Sequence, residues 1–213
     1  MNITLTKTNP KDASLYALVI FNFSLLLFRM IVTASIFYGF LIWNLILAGI
    51  PFLVTFIIES NPKITQRKSL LLAFSFVWLL FLPNAPYIIT DFLHFKGESS
   101  MPAWFDILLL TSFSWNGIAF GFLSIIKMQE IWETKFTSQI ARLFIFGCCL
   151  LSGFGIYLGR FLRYNSWDII SNPIELITDI PMLLFELRAV GFSLGYGLFL
   201  FLSYSFFRIH AKK

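Results

Sequence analysis

Six long apolar runs set the limits of what this chain can fold into: Leu15–Phe37, Tyr38–Ile58, Leu70–Phe92, Trp104–Ile126, Ile140–Phe161 and Leu183–Phe207. Each reaches the roughly 20 residues a helix needs to cross about 30 Å of hydrocarbon. The chain is 58% hydrophobic and only 13% charged, and 27 of its 213 residues are Phe. A water-soluble domain carries about a quarter charged residues. A water-soluble core of this size has no room for so much apolar surface, so lipid must act as solvent for the surplus. The expected fold is therefore all-α: a polytopic bundle of about six transmembrane helices, forming a single transmembrane domain over residues 1–213. The first two runs meet around Ser35–Gly39, a join short enough to make a helical hairpin.

The net charge of +5 does not point to nucleic acid. The basic residues flank apolar runs and form no basic stripe with interleaved aromatics. Their placement orients the chain instead. With the N-terminus inside, the inner segments hold Lys7, Lys11, Lys63, Arg67, Lys68, Lys127, Lys135, Arg142, Arg208, Lys212 and Lys213. The outer side holds Arg29, Lys96, Arg160, Arg163 and Arg188. Eleven against five places both termini in the cytoplasm of a cell with a multi-pass cell-membrane protein. The polar start, Asn2 to Ser14, precedes no trusted cleavage pattern, so the first run reads as a retained helix. Cys148 and Cys149 are neighbours in mid-span, a spacing strained for a disulfide, and read as small packing residues.

Two runs end in polar motifs that a lipid-facing helix would not keep without cause. Leu82-Pro83-Asn84-Ala85-Pro86-Tyr87-Ile88-Ile89-Thr90-Asp91 closes the third. Pro83 and Pro86 each remove a backbone donor and clash one turn back, so the helix should kink or break there. The freed carbonyls of Leu79 and Leu82 then need partners. If α-helix resumes, Tyr87, Asp91 and His94 share one face, with Thr90 beside them. An ordinary proline kink accounts for the prolines; it does not account for Asn84, Tyr87, Asp91 and His94 together.

The second motif is Tyr157-Leu158-Gly159-Arg160-Phe161-Leu162-Arg163-Tyr164-Asn165-Ser166-Trp167-Asp168. Arg160 and Arg163 lie one turn apart, and snorkelling to headgroups is the plain reading of each. Asn165 or Ser166 could cap a following helix with Asp168 in its first turn. Gly155-x-x-x-Gly159 is a small-xxx-small pattern, most simply a helix-packing device. The connection from Tyr164 to Leu187 mixes isoleucines with Asp168, Glu175 and Asp179, as a helix lying in the outer interface does.

Arg29 sits about 21 Å into the first run. A mid-span arginine must face the bundle interior or snorkel, and carboxylates at its depth are Asp91 and Asp106. Asn116 lies deeper in the fourth run, and Glu186 opens the last. Glu186, together with Arg29, Asn84, Tyr87, Asp91, His94, Asp106, Arg160, Arg163, Asn165, Trp167 and Asp168, is expected to line a wet polar cavity at the outer side.

The two motifs resemble those of the domain of unknown function 1361 family, with Tyr164 standing where that pattern carries Trp. The resemblance implies a bacterial multi-span membrane protein and brings no activity or cofactor.

From the residues, the leading expectation is a site that binds or processes an anionic or lipid-linked phosphate substrate. Arg160 and Arg163 would hold phosphate oxygens, and Asp91 or His94 would act as acid or base. Alternatives are a small-solute or ion transporter in which Asp91 and Arg29 exchange partners, and a non-catalytic protein that assembles with a membrane partner or with itself. A metal on Asp91 and His94, completed by Asp106 or Asp168, is a weaker option.

Overall fold

The computed structural model describes residues 10–95, 101–183 and 185–211; the charges at Lys7, Lys96, Lys212 and Lys213 used for orientation lie outside them. Ten helices follow in chain order among the described residues: α1 (Pro10–Thr33), α2 (Phe40–Ser60), α3 (Pro62–Gln66), α4 (Lys68–Phe81), α5 (Asn84–Tyr87), α6 (Ala103–Glu133), α7 (Ser138–Phe161), α8 (Asp168–Ser171), α9 (Pro173–Leu183) and α10 (Leu187–Ala211). Two 3-10 segments, Phe37–Gly39 and Ile88–His94, complete the path, and no strand occurs among these residues. Six stretches are long and apolar enough to cross a membrane, so the chain is a multi-pass, all-α membrane bundle.

The expected tight join between the first two spans is present, although α1 packs chiefly on α6. Ala34 turns with φ 48°, and the 3-10 segment Phe37–Gly39 leads straight into α2. The fourth span is longer than its apolar run. Helix α6 continues from Ile126 through Glu133, and its 31 residues measure about 46 Å. Lys127, Glu130 and Glu133 look like the end of a span, yet Met128, Gln129, Ile131 and Trp132 between them are buried against α4, α7 and α10. The Trp132 indole donates to Ser75 Oγ at 3.0 Å and its ring stacks on Phe144.

The ends of the bundle are built differently. At the Arg208 end the guanidinium donates to both carboxylate oxygens of Glu133, at 2.8 and 2.9 Å. It also donates to Tyr204 Oη at 3.1 Å. Tyr204 bonds to Gln129, and Ser138 Oγ donates to Glu133 at 3.0 Å. This network staples α6, α7 and α10. At the opposite end, where Arg160 lies, helices α8 and α9 connect the fifth and sixth spans and help line a groove there.

The proline pair breaks the third span as expected. α4 stops at Phe81, and α5 is one turn of four residues. The Leu82 carbonyl accepts from the Ala85 N–H at 3.2 Å, and the Asn84 side chain folds back to the Phe81 carbonyl at 3.0 Å. Glycines on both sides make room for this turn. A Cβ on Gly117 of α6 would lie 2.6 Å from the Ala85 carbonyl oxygen, and one on Gly121 3.0 Å from the Ala85 Cβ. On α7, a Cβ at Gly155 would lie 2.6 Å from Pro83 Cγ, and one at Gly159 3.2 Å from Tyr87 Cε2. The Gly155-x-x-x-Gly159 pattern is thus the bed for α5. The break in one helix and the glycines of two others are a single packing solution.

Candidate functional site

Beyond α5 the chain winds as a 3-10 helix through Ile88–His94. This corrects the expectation of a resumed α-helix. A three-residue period brings Tyr87 and Thr90 into line and Asp91 and His94 into line beside them. All four then meet one guanidinium. Arg160, in the last turn of α7, donates from Nε to Thr90 Oγ1 at 2.8 Å. Its Nη2 donates to Asp91 Oδ1 at 2.8 Å and also contacts Thr90 Oγ1. Its Nη1 lies 3.1 Å from His94 Nε2. Its carbon sits 4.5 Å from the centre of the Tyr87 ring, a cation–π distance. A guanidinium only donates, so in this contact His94 Nε2 is the accepting side. The other oxygen of Asp91 accepts from Asn44 Nδ2 at 2.8 Å. Asp91 is 1% exposed; His94 is exposed, with its ring edge on Phe40.

Arg29 takes the other carboxylate. It meets Asp106 in a forked pair, Nε to Oδ1 at 2.7 Å and Nη2 to Oδ2 at 3.2 Å. The Tyr38 ring lies 4.3 Å from the guanidinium carbon, and both charged side chains are at most 5% exposed. Arg29 Nη1 has no hydrogen-bond partner. The single shared cavity expected from the sequence is therefore divided. Arg29 and Asp106 form a closed pair between α1 and α6, and Arg160 and Asp91 form a second knot between α7 and the 3-10 segment.

The open space lies beside the second knot. A groove of about 780 Å³ runs among α2, α4, α7, α9 and α10. Its walls are apolar, with Trp43, Phe76, Leu79, Phe154, Leu158 and Leu183 among them. Its polar lining includes Asn84, Arg163, Asn165 and Ser166. Asn84 Nδ2 donates to Ser166 Oγ at 2.9 Å, which ties the two sequence motifs together. Arg163 is exposed and forms no ion pair among the described residues. Trp167 stands edge-on to Trp43, ring centres 6.1 Å apart.

The loop after α7 holds itself in shape. Neither Asn165 nor Ser166 caps α8; the capping runs the other way. Asp168 Oδ2 accepts from the Asn165 N–H at 2.6 Å, and its Oδ1 accepts from Ser171 Oγ at 2.9 Å. The Asn165 N–H holds the Asp168 carboxyl below the usual carboxylate range, burial opposing and the Ser171 and Asn165 side chains assisting. Tyr164 Oη donates to Asp179 Oδ2 at 2.8 Å, fastening α9 to the loop. That bond, with desolvation and nearby carboxylates, pushes the Tyr164 phenol up to about 12. No three His, Cys, Asp or Glu side chains gather as a metal would need among the described residues. Asp91 and His94 turn to Arg160, Asp106 to Arg29, and Asp168 into its own turn.

One contributor, Asn44, escaped the sequence reading, and another was given too small a part. Asn44 is one polar residue in an apolar helix, and its polarity was the available signal. Thr90 was placed beside the face and proves central to it.

Residues 43–203 match the model of a protein family described as a protein of unknown function, DUF1361. No curated protein and no solved structure matches the chain.

Proposed function

The chain belongs to the DUF1361 family, which brings no activity with it, and from the site's own geometry we propose that the protein binds a lipid-linked substrate, drawing its chain into the groove and leaving its polar head at the mouth. The carrying observation is the groove itself: about 780 Å³ of mostly apolar space with polar residues from both sequence motifs in its lining. Bulk lipid fits such a surface on the tail side. The polar groups Asn84, Asn165 and Ser166 supply directional contacts that an ordinary helix face lacks. The basic residues near the Arg208 end support placing that end in the cytoplasm of a bacterial cell, so the groove mouth belongs to the extracytoplasmic leaflet.

In this reading Arg160 and Asp91 are positioning residues. Every guanidinium nitrogen of Arg160 and both oxygens of Asp91 are engaged within the protein, and neither side chain lines the groove. They lock the 3-10 segment to α7, which fixes Tyr87 and Asn84 at the groove wall. His94 is the exposed member of the knot.

The test is the lipid that accompanies the purified protein. Leu151 lines the groove and is 56% exposed, so Leu151→Trp fills space without disturbing the core. Native mass spectrometry should find bound lipid on the parent chain and little on this variant. An unchanged lipid count would discard the reading.

A further inference from the structure

The residue after the end of α7 carries an unusual backbone. Arg163 has φ 63°, in the left-handed region. A side chain with a Cβ is disfavoured there, and glycine is the ordinary occupant of such a position after a helix. The turn closes through the Leu162 and Tyr164 N–H groups, both donating to the Leu158 carbonyl at 3.2 Å. Nothing in those bonds calls for an arginine. A glycine would make the same turn with less strain. Strain kept at a non-glycine residue is a pointer to what its side chain does.

That side chain lines the groove, is exposed, and makes no ion pair among the described residues. The other two arginines expected at the site are committed, Arg29 to Asp106 and Arg160 to Asp91. Two carboxylates of the same connection are also occupied: Asp168 holds the Asn165 N–H and Ser171, and Asp179 holds Tyr164. A guanidinium with free donors, set beside the Ser166 hydroxyl and two asparagine amides at the rim of an apolar groove, suits an oxyanion. The planar fork matches phosphate oxygens two at a time.

We infer that Arg163 is the head-group receptor of the site and binds the phosphate of the lipid whose chain occupies the groove. This rests on the lipid reading above and adds the class of the head. Ser166 and Asn84 hold the second motif's loop against α5 and flank the phosphate; Arg160 lies behind and does not touch it.

The experiment uses the full chain in nanodiscs. The probes are phosphatidic acid, phosphatidylcholine with the same acyl chains, and inorganic phosphate. Native mass spectrometry reads bound lipid, and a melting curve reads the fold. The parent chain should prefer phosphatidic acid over phosphatidylcholine by about tenfold or more. Arg163→Gly should erase that preference, keep the phosphatidylcholine still held by its chains, and melt at the same temperature or higher. Arg163→Lys should keep part of the preference, since it keeps the charge and loses the fork.

The following results would overturn the inference. One is a parent chain that binds both lipids equally; retained lipid that Leu151→Trp removes would then leave the groove reading standing while the head-group assignment fails. Another is an Arg163→Gly variant that keeps the preference. The third is inorganic phosphate that binds through Arg163 and fails to compete with phosphatidic acid, which would separate the anion site from the lipid. Loss of lipid binding by no variant, with none bound to the parent, would sink the lipid reading itself. A marked fall in melting temperature for Arg163→Gly would show that the arginine serves the turn, and would count against the receptor role.

Discussion

Two arginine–aspartate pairs are buried at the same end of this bundle, and they are built to different plans. Arg29 and Asp106 meet between α1 and α6. The pair is forked, roofed by Tyr38, and has one guanidinium nitrogen left without a partner. It joins α1 to α6 and faces no groove. Arg160 and Asp91 belong to a larger set in which Thr90, His94, Tyr87 and Asn44 also take part, and the space beside them opens into the groove. The first pair solves a problem of its own making, since each charge is there to neutralise the other. The second fixes the shape of the segment that follows Asn84 and Tyr87, which line the groove. Burial and ion pairing are common to both; only the number of groups that depend on the pair distinguishes a closure from a scaffold.

Double substitution breaks or sharpens that distinction most strongly. Removing one partner of a buried pair costs about 3–5 kcal/mol, whereas replacing both by apolar groups of similar size is often neutral. Asp106→Ala alone should therefore destabilise the fold by that amount, and Arg29→Met with Asp106→Leu should restore most of it. For the second pair, Arg160→Met with Asp91→Leu should recover less, because Thr90, His94 and Asn44 lose their partner in the knot, and a polar group left unsatisfied where it is buried, as at Thr90, costs about 1–3 kcal/mol. Reversible unfolding in bicelles checks both cycles. Equal recovery in the two would erase the contrast.

Next in size is the bed of the broken helix. Gly155→Ala places a methyl against Pro83, and overpacking of this kind costs about 1–3 kcal/mol. The variant should also displace Tyr87 from Arg160 and weaken lipid retention. Gly49→Ala, where an added Cβ meets nothing within 4 Å, is the control and should leave both unchanged.

The smallest effect expected concerns the loop. Asp168 has its carboxyl held below the ordinary value by the Asn165 N–H. A depressed folded value means the turn's contribution is full above the unfolded carboxylate range, near 4, and is lost as pH falls through the folded value. Trp167 fluorescence should stay flat from neutral pH down to that range and change only in stronger acid. Asp168→Asn should remove the acid transition.

The helices were legible because lipid demands long apolar runs, and Pro83 and Pro86 announced the break. What followed the break was not legible. Residues 88 to 94 carry no mark that separates 3-10 from α winding, and only the former turns Thr90 toward Arg160. The extension of α6 was hidden by Lys127, Glu130 and Glu133, whose charges read as a boundary although the residues between them are buried. Arg29 had two carboxylates at matching depth, and depth alone does not choose between Asp91 and Asp106. Gly117 and Gly121 of α6 and Gly155 and Gly159 of α7 gave a weak packing signal because the partner they admit is the short turn from Pro83 to Tyr87, not a second long helix. The free state of Arg163 emerges only when its neighbours' partners are known.

A density map of the parent chain in a nanodisc of native lipid tests the account most directly. It should show a continuous acyl chain along Leu79, Phe154 and Leu158, ending in a head between Arg163 and Ser166, with Arg160 still bound to Asp91. A groove closed by contact between α4 and α9, or an Arg160 swung away from Asp91 to meet a ligand, would contradict it.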